Sequence, residues 1–294
     1  MTDKIDILFL INPISGVGRK NIIPKCIDKF LDKTKFNHTI QYTEYRKHGF
    51  EIASQSKDRF KVIVAIGGDG TVNEIGSALI NSTTLLGIIP TGSGNGLARH
   101  LAIPLRIKQA LLTINAYHSI TIDTATVNGI PFIGTCGFGF DAHIATEFDA
   151  HHKRGFLSYA KLIQQEFFSY KPLEFKVTYD DKVVERKAFM YSVANSSQFG
   201  NGFTISPKSD LQDVVFEHVF LDKFKLKDMP LLGKQIFTKQ INNSKFFNGF
   251  EASSVVNVEI LNQTKSIFHI DGEAMKGGAE FQIKVVPKSL SIIC

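Results

Sequence analysis

The chain has 294 residues, 43% of them apolar and 21% charged, with a formal net charge of +6. That length accommodates two domains with sizeable cores, and no stretch reaches the roughly 20 apolar residues that a membrane span needs. The three cysteines, Cys26, Cys136 and Cys294, are far apart, lack metal-ligand spacing and suit a reduced, cytoplasmic setting.

The opening residues lack a basic region followed by a long apolar one, so no signal peptide is expected. The positive charge is compatible with nucleic acid, an anionic membrane or phosphorylated ligands. With no zinc-finger spacing and no RNA-binding motif, a nucleic-acid partner is not expected.

In chain order, "DILFLI" (6–11) predicts a buried strand that stops at Asn12-Pro13. A helix follows through "IIPKCIDKFLDK", with Ile23, Ile27, Phe30 and Leu31 on one side. "HTIQYT" (38–43) reads as a strand and "FEIASQ" as a short helix. "KVIVAI" (61–66) and "LLGIIP" (85–90) are further buried strands, separated by the helix "TVNEIGSALI" (71–80). Helices are then predicted in "NGLARHLAI" and "RIKQALLTI". Short apolar strands alternating with helices predict a doubly wound α/β domain with a parallel sheet.

Near residue 120 the pattern changes to β. Asn128-Gly129 and Asp180-Asp181 each predict a hairpin turn, and four later runs, "VVFEHVFL", "VVNVEIL", "SIFHID" and "EFQIKVV", read as strands. Helical insertions are expected at 155–170 and 229–241. The expected fold class is therefore α/β plus all-β: a doubly wound α/β domain over 1–122, then a β-sandwich domain over 123–284. The final segment, 285–294, reads as a last strand able to pair with either domain.

Three glycine-rich loops follow three of the first-domain strands: "NPISGVGRK" (12–20), "GGDGTVNE" (67–74) and "PTGSGNGLAR" (90–99). In an open parallel sheet, ligands bind outside the carboxyl ends of the strands. The small residues Gly67, Gly68, Gly70, Gly92, Ser93 and Gly94 would let phosphate oxygens approach helix N-terminal N–H groups. Thr71, Thr91 and Ser93 add hydroxyl donors. One such loop is an ordinary tight turn; three on one edge point to a nucleotide. Neither G-x-x-x-x-G-K-[ST] nor a G-x-G-x-x-G after the first strand is present.

"GGDGTVNEI", with "NPISG", "PTGSGNGLAR", "GFGFDA" (137–142) and "IDGE" (270–273), resembles the diacylglycerol kinase catalytic-domain superfamily of lipid kinases. That group includes bacterial soluble lipid kinases and the sphingosine and ceramide kinases. "GGDGT" is shared with NAD kinases; the ordered set of five motifs is far more specific. The resemblance implies an NAD kinase/diacylglycerol kinase-like nucleotide domain, a β-sandwich, an active site in the cleft between them, and a last strand returning to the first domain. It also assigns ATP contacts to Asn12, Pro13, Ser15 and Gly16, to Thr43, to Gly67 through Asn73 with Glu74, and to Thr91, Gly92, Ser93 and Asn95. Asp271 and Glu273 match the "DGE" that supplies the catalytic base, and which of the two acts stays open. Asp210 and Asp213 match a metal-binding turn, although the usual "DG" reads Asp213-Val214 here. Where diacylglycerol-directed members carry an Asp after the Asn, this chain has Gly96; sphingosine and ceramide kinases likewise have an uncharged small residue there. A magnesium arrangement would then rest on Asp69, Asp123 and water, and the acceptor leans toward a long-chain base or ceramide-like alcohol.

The implied activity is ATP- and Mg²⁺-dependent phosphorylation of a lipid hydroxyl in phospholipid metabolism. Asp69 would orient metal-bound water, and Asp271 or Glu273 would take the acceptor's proton. Arg99 either reaches phosphate or pairs with Glu74 or Asp69. Residues 222–240 mix five lysines with apolar side chains, and read either as a membrane-docking surface or as an amphipathic helix packed on the sandwich. The expected setting is the cytoplasm, with peripheral contact at the inner membrane face; pairing with a second copy stays open. Two rival functions are an NAD kinase-like small-molecule kinase and a non-catalytic nucleotide- or lipid-binding protein.

Overall fold

The computed structural model describes residues 4–15, 22–150, 156–198 and 203–294, with the side chains of 148–150, 156–160 and 226 left aside. The chain divides into two compact units, residues 1–124 with 287–294, and residues 125–286. Among the described residues no helix is long and apolar enough to cross a membrane. All three cysteines are free thiols.

The first unit alternates strand and helix: β1 (Ile5–Ile11), α1 (Ile22–Phe30), β2 (Phe36–Tyr42), α2 (His48–Ser56), β3 (Val62–Gly67), α3 (Asp69–Leu79), β4 (Leu85–Pro90), α4 (Gly96–His100), α5 (Ile107–Ala116) and the start of β5 (Ser119–Val127). Strands β2-β1-β3-β4 pair in parallel in that order, with Phe9 opposite both Ile40 and Val64. Every residue of β3 is buried. The reason is topological: α2 packs on α3 and α1 on α5, and right-handed crossovers put these pairs on opposite faces of the sheet. A strand covered on both faces reads as an uninterrupted apolar run.

The second unit holds β6 (Ile130–Phe132), β7 (Thr135–Gly139), α6 (Phe140–Ala150), α7 (Phe156–Ser169), β8 (Leu173–Tyr179), β9 (Lys182–Ala188), β10 (Met190–Ala194), β11 (Phe216–Leu221), α8 (Met229–Phe237), β12 (Phe247–Ala252), β13 (Val256–Ile260), β14 (Ser266–Ile270), β15 (Glu273–Gly277) and most of β16 (Glu280–Ile293). One sheet runs β12-β11-β10-β7-β14-β15; the other contains β9, β8, β13 and the first half of β16. The side chains between the two sheets form an aromatic core around Phe138, Phe175, Tyr191, Phe220 and Phe281. In β8 the burial alternates, with Leu173, Phe175, Val177 and Tyr179 inward, as in a sheet solvated on one face. The whole of β11 is buried, because a second cluster with Phe140, Phe167, Phe189, Leu232 and Ile236 covers the six-stranded sheet's other side.

Both predicted hairpin turns are present, each with two left-handed residues: Asn128-Gly129 (φ +49°, +80°) and Asp180-Asp181 (φ +45°, +59°). The final segment is not a separate strand. It continues β16, which pairs with β13 before Pro287 and with β4 after it, where Ile292 lies opposite Leu86. Three elements went unanticipated. Helix α6 starts directly at the end of β7, so its first residues read as the alternation of "GFGF". The half-exposed strands β12 and β15 contain glycines that weaken a strand pattern.

Candidate active site

The three glycine-rich loops meet in the first unit. Asn12 Nδ2 donates to Thr71 Oγ1 at 3.0 Å, joining the first loop to the second. Ser15 Oγ and Thr91 Oγ1 lie 3.1 Å apart, joining the first to the third. The second and third are joined at the backbone: Thr91 and Gly92 both donate N–H to the Gly67 carbonyl, at 2.8 and 3.3 Å. Glycine is required at the crossing point. A Cβ on Gly92 would stand 2.5 Å from the Gly68 Cα, and one on Gly67 would stand 2.3 Å from the Thr71 side chain.

Asp69 opens α3, with Gly68 as the N-cap residue in extended conformation. Its carboxylate accepts the N–H of Asn95 at 2.8 Å and of Gly96 at 2.6 Å. Asn95 is left-handed (φ +53°), a conformation Asn tolerates, and its Nδ2 donates to the Gly92 carbonyl at 2.8 Å. Arg99 Nε donates to the Gly94 carbonyl at 2.9 Å, bracing the third loop from its own helix. Pro13 lies in the turn after Asn12, half-buried, and Asn12 Oδ1 accepts the Ile14 N–H at 3.0 Å. Thr43 is buried at the end of β2, its N–H donated to the Ile11 carbonyl at 2.9 Å. Gly70 and Asn73 lie half-buried in α3, and Ser93 is exposed on the third loop. Glu74 turns toward α2 instead, where Oε1 accepts the Lys47 N–H at 2.7 Å. Gly16, with Arg19 and Lys20, falls outside the described residues.

The predicted metal carboxylates are divided between the two units. Asp123 is fully buried and accepts the Lys288 N–H at 2.7 Å, tying β5 to β16. Asp210 and Asp213, exposed in the second unit, each accept an N–H two residues on, from Gln212 at 3.0 Å and Val215 at 2.9 Å. Val214 stands at φ +63°, the left-handed position a glycine would take in the usual turn. Among the described residues, no three His, Cys, Asp or Glu side chains converge on a metal position.

In the second unit, Asp271 and Gly272 (φ +49° and +87°) form the two-residue turn between β14 and β15. The Asp271 carboxylate accepts three successive backbone N–H groups: Ile133 at 2.9 Å, Gly134 at 2.8 Å and Thr135 at 2.7 Å. Such runs of amides make anion-binding concavities. Asp271 fills this one itself, so its oxygens serve the backbone of residues 133–135. Glu273 follows the turn, half-buried at the start of β15.

Beneath this turn lies a polar cluster that sequence reasoning missed. Asp141 Oδ2 accepts from Ser192 Oγ at 2.9 Å and sits 3.1 Å from His269 Nε2. The Gly272 N–H reaches His269 Nδ1 at 3.4 Å, so Nε2 carries the proton that Asp141 accepts. Both side chains occupy the space over Gly137, where a Cβ would stand 2.2 Å from Asp141 and 2.3 Å from His269. A glycine inside a strand is the available signal for such close approach. His143 takes a different partner, Glu166 on α7, at 2.9 Å.

Three comparisons with known proteins match this architecture. The diacylglycerol kinase catalytic domain model matches residues 6–127, and the YegS C-terminal NAD kinase beta sandwich-like domain model matches residues 134–294. The chain is 31% identical over 198 residues to a diacylglycerol kinase of Bacillus subtilis, covering 63% of this chain and 65% of that protein. It is 28% identical over 240 residues to a Yersinia pestis protein named "Probable lipid kinase YegS-like", covering 78% and 77%. The crystal structure of a Bacillus anthracis diacylglycerol kinase shares the fold with a TM-score of 0.77 at 20% identity, covering 100% of this chain and 98% of that one. With both models matched in order along nearly its whole length, the chain belongs to the diacylglycerol kinase-like family of lipid kinases.

Proposed function

We propose that the protein transfers the γ-phosphate of ATP to the hydroxyl of a lipid alcohol. The observation that carries this reading is the mutual bonding of three glycine-rich loops at the carboxyl ends of parallel strands, through Asn12–Thr71, Ser15–Thr91 and Asp69–Asn95/Gly96. Phosphoryl transfer needs positioning and charge neutralisation more than covalent help. Gly67, Gly68 and Gly92 let these loops cross closely beside the N-terminal turn of α3, whose amides would meet phosphate oxygens.

Asp69, a partly buried carboxylate at the start of α3, has the hard oxygen donors that suit a Mg²⁺ ion kept largely hydrated. Asp123 fits less well, being fully buried. Bound there, the ion would neutralise charge on the phosphates. Asp69 itself sets the spacing of the second and third loops. In the second unit, Asp271 holds residues 133–135 in place, and Glu273 takes the acceptor's proton. His269, bonded toward both Asp141 and Gly272, steadies the turn that carries Glu273. Contact with a membrane surface follows from the acceptor's solubility.

The test is incubation with isotopically labelled ATP and Mg²⁺ against dispersed diacylglycerol, long-chain base and ceramide, with NAD as a soluble control, read by mass spectrometry. A phosphorylated lipid is expected. Label on NAD alone, or on nothing despite saturable ATP binding, overturns the reading.

A further inference from the structure

Helix α8 is seated by one face and largely exposed on the other. Leu232 and Ile236 are buried in the cluster with Phe167, Phe189 and Val219, and Met229 packs against it. On the opposite face Leu231 is 59% exposed and Phe237 54% exposed, with Lys234 between them. At 100° per residue, positions 230, 231, 234, 237 and 238 share one side of the helix, and all five are exposed.

The flanking segments add charge of one sign. Lys223, Lys225, Lys227, Lys234, Lys239 and Lys245 are all exposed, and the one acid between residues 223 and 245 is Asp228. Asp222, just before them, is held by Arg186 through bonds of 3.0 and 2.6 Å. Apolar side chains on a positively charged surface match a partner that is anionic outside and apolar beneath. A second copy of the chain fits poorly, because a two-fold contact through this face would set its lysines against their own copies.

We propose that the exposed face of α8, with Leu231 and Phe237 as apolar anchors and Lys227, Lys234 and Lys239 around them, docks the protein on anionic phospholipid. This deepens the lipid kinase reading by naming the surface that meets the bilayer, and it is testable without turnover. Leu231 and Phe237 are both more than half exposed, and Phe237 also meets the Phe203 ring edge-on at 5.5 Å between centroids.

Vesicle flotation of the full chain is the test, on phosphatidylcholine alone and on phosphatidylcholine mixed with phosphatidylglycerol. Binding to the mixed vesicles that weakens with salt is expected. The pair Leu231→Asp with Phe237→Asp, and the triple Lys227→Gln, Lys234→Gln and Lys239→Gln, should each lower partitioning about tenfold or more. The lysine triple should keep the wild-type melting temperature, and both should keep the wild-type activity on detergent-dispersed lipid. Wild-type protein that stays off anionic vesicles, or variants that bind as well as wild type, overturn the proposal. So does light scattering that shows a dimer dissolved by Leu231→Asp. If the wild type floats through α8 and phosphorylates no dispersed lipid, the docking surface stands and the kinase reading falls.

Discussion

Asp69 accepts the N–H of Gly96 at 2.6 Å, and this bond, with its neighbour from Asn95, locks the second glycine-rich loop to the third. Removing the carboxylate leaves two partly buried donors without it, at a cost of about 1–3 kcal/mol each before water relieves it. Asp69→Ala should therefore lower both thermal stability and ATP affinity. Denaturant unfolding and nucleotide titration check this; unchanged values in both would detach Asp69 from the loop geometry.

Asp271 and Glu273 should separate by readout. Asp271→Asn puts an amide N–H₂ among three backbone donors and loses charge-assisted bonds, so about 2 kcal/mol of stability should go with it. Glu273→Gln should leave the melting temperature nearly unchanged and slow phosphoryl transfer by about 10²-fold or more while ATP still binds. Equal melting and equal turnover in the two variants would contradict the division of roles.

Val214 carries a β-branched side chain at φ +63°. Left-handed backbone costs a non-glycine residue about 1–2 kcal/mol, part of which glycine's greater unfolded-state freedom offsets. Val214→Gly should raise stability by up to about 1 kcal/mol. A destabilised variant in chemical denaturation would show that the Val214 side chain contributes packing that outweighs its strain.

Glu217 has its carboxyl raised to about 7, first by burial and then by Glu251, its cross-strand partner on β12, with Lys208 opposing. Ser206 Oγ donates to its Oε2. Between the ordinary glutamate value and about 7, the folded state binds more protons than the unfolded state. Stability should therefore be highest below that window and fall as pH rises through it. Melting curves from pH 4 to 8 should show this decline in the wild type, and Glu217→Gln should flatten it. A parallel decline in the variant would assign the effect to another group.

The periodicity of the sequence determined the two-part architecture, because a strand buried on both faces and a strand buried on one leave different patterns: β3 is wholly buried, whereas β8 alternates. Turn chemistry was equally local, since Asn128-Gly129, Asp180-Asp181 and Asp271-Gly272 take left-handed conformations that neighbouring residues suffice to specify. The glycine-rich loops and the DGE motif were legible for the same reason. Only the tertiary structure decided what the polar side chains do there. Asp271 is committed to amides more than 130 positions away, Asp123 is buried against Lys288, and His269 meets Asp141 over Gly137. Those partners arrive from distant strands, and a hydrogen bond depends on distances of a few ångströms that no spacing along the chain encodes.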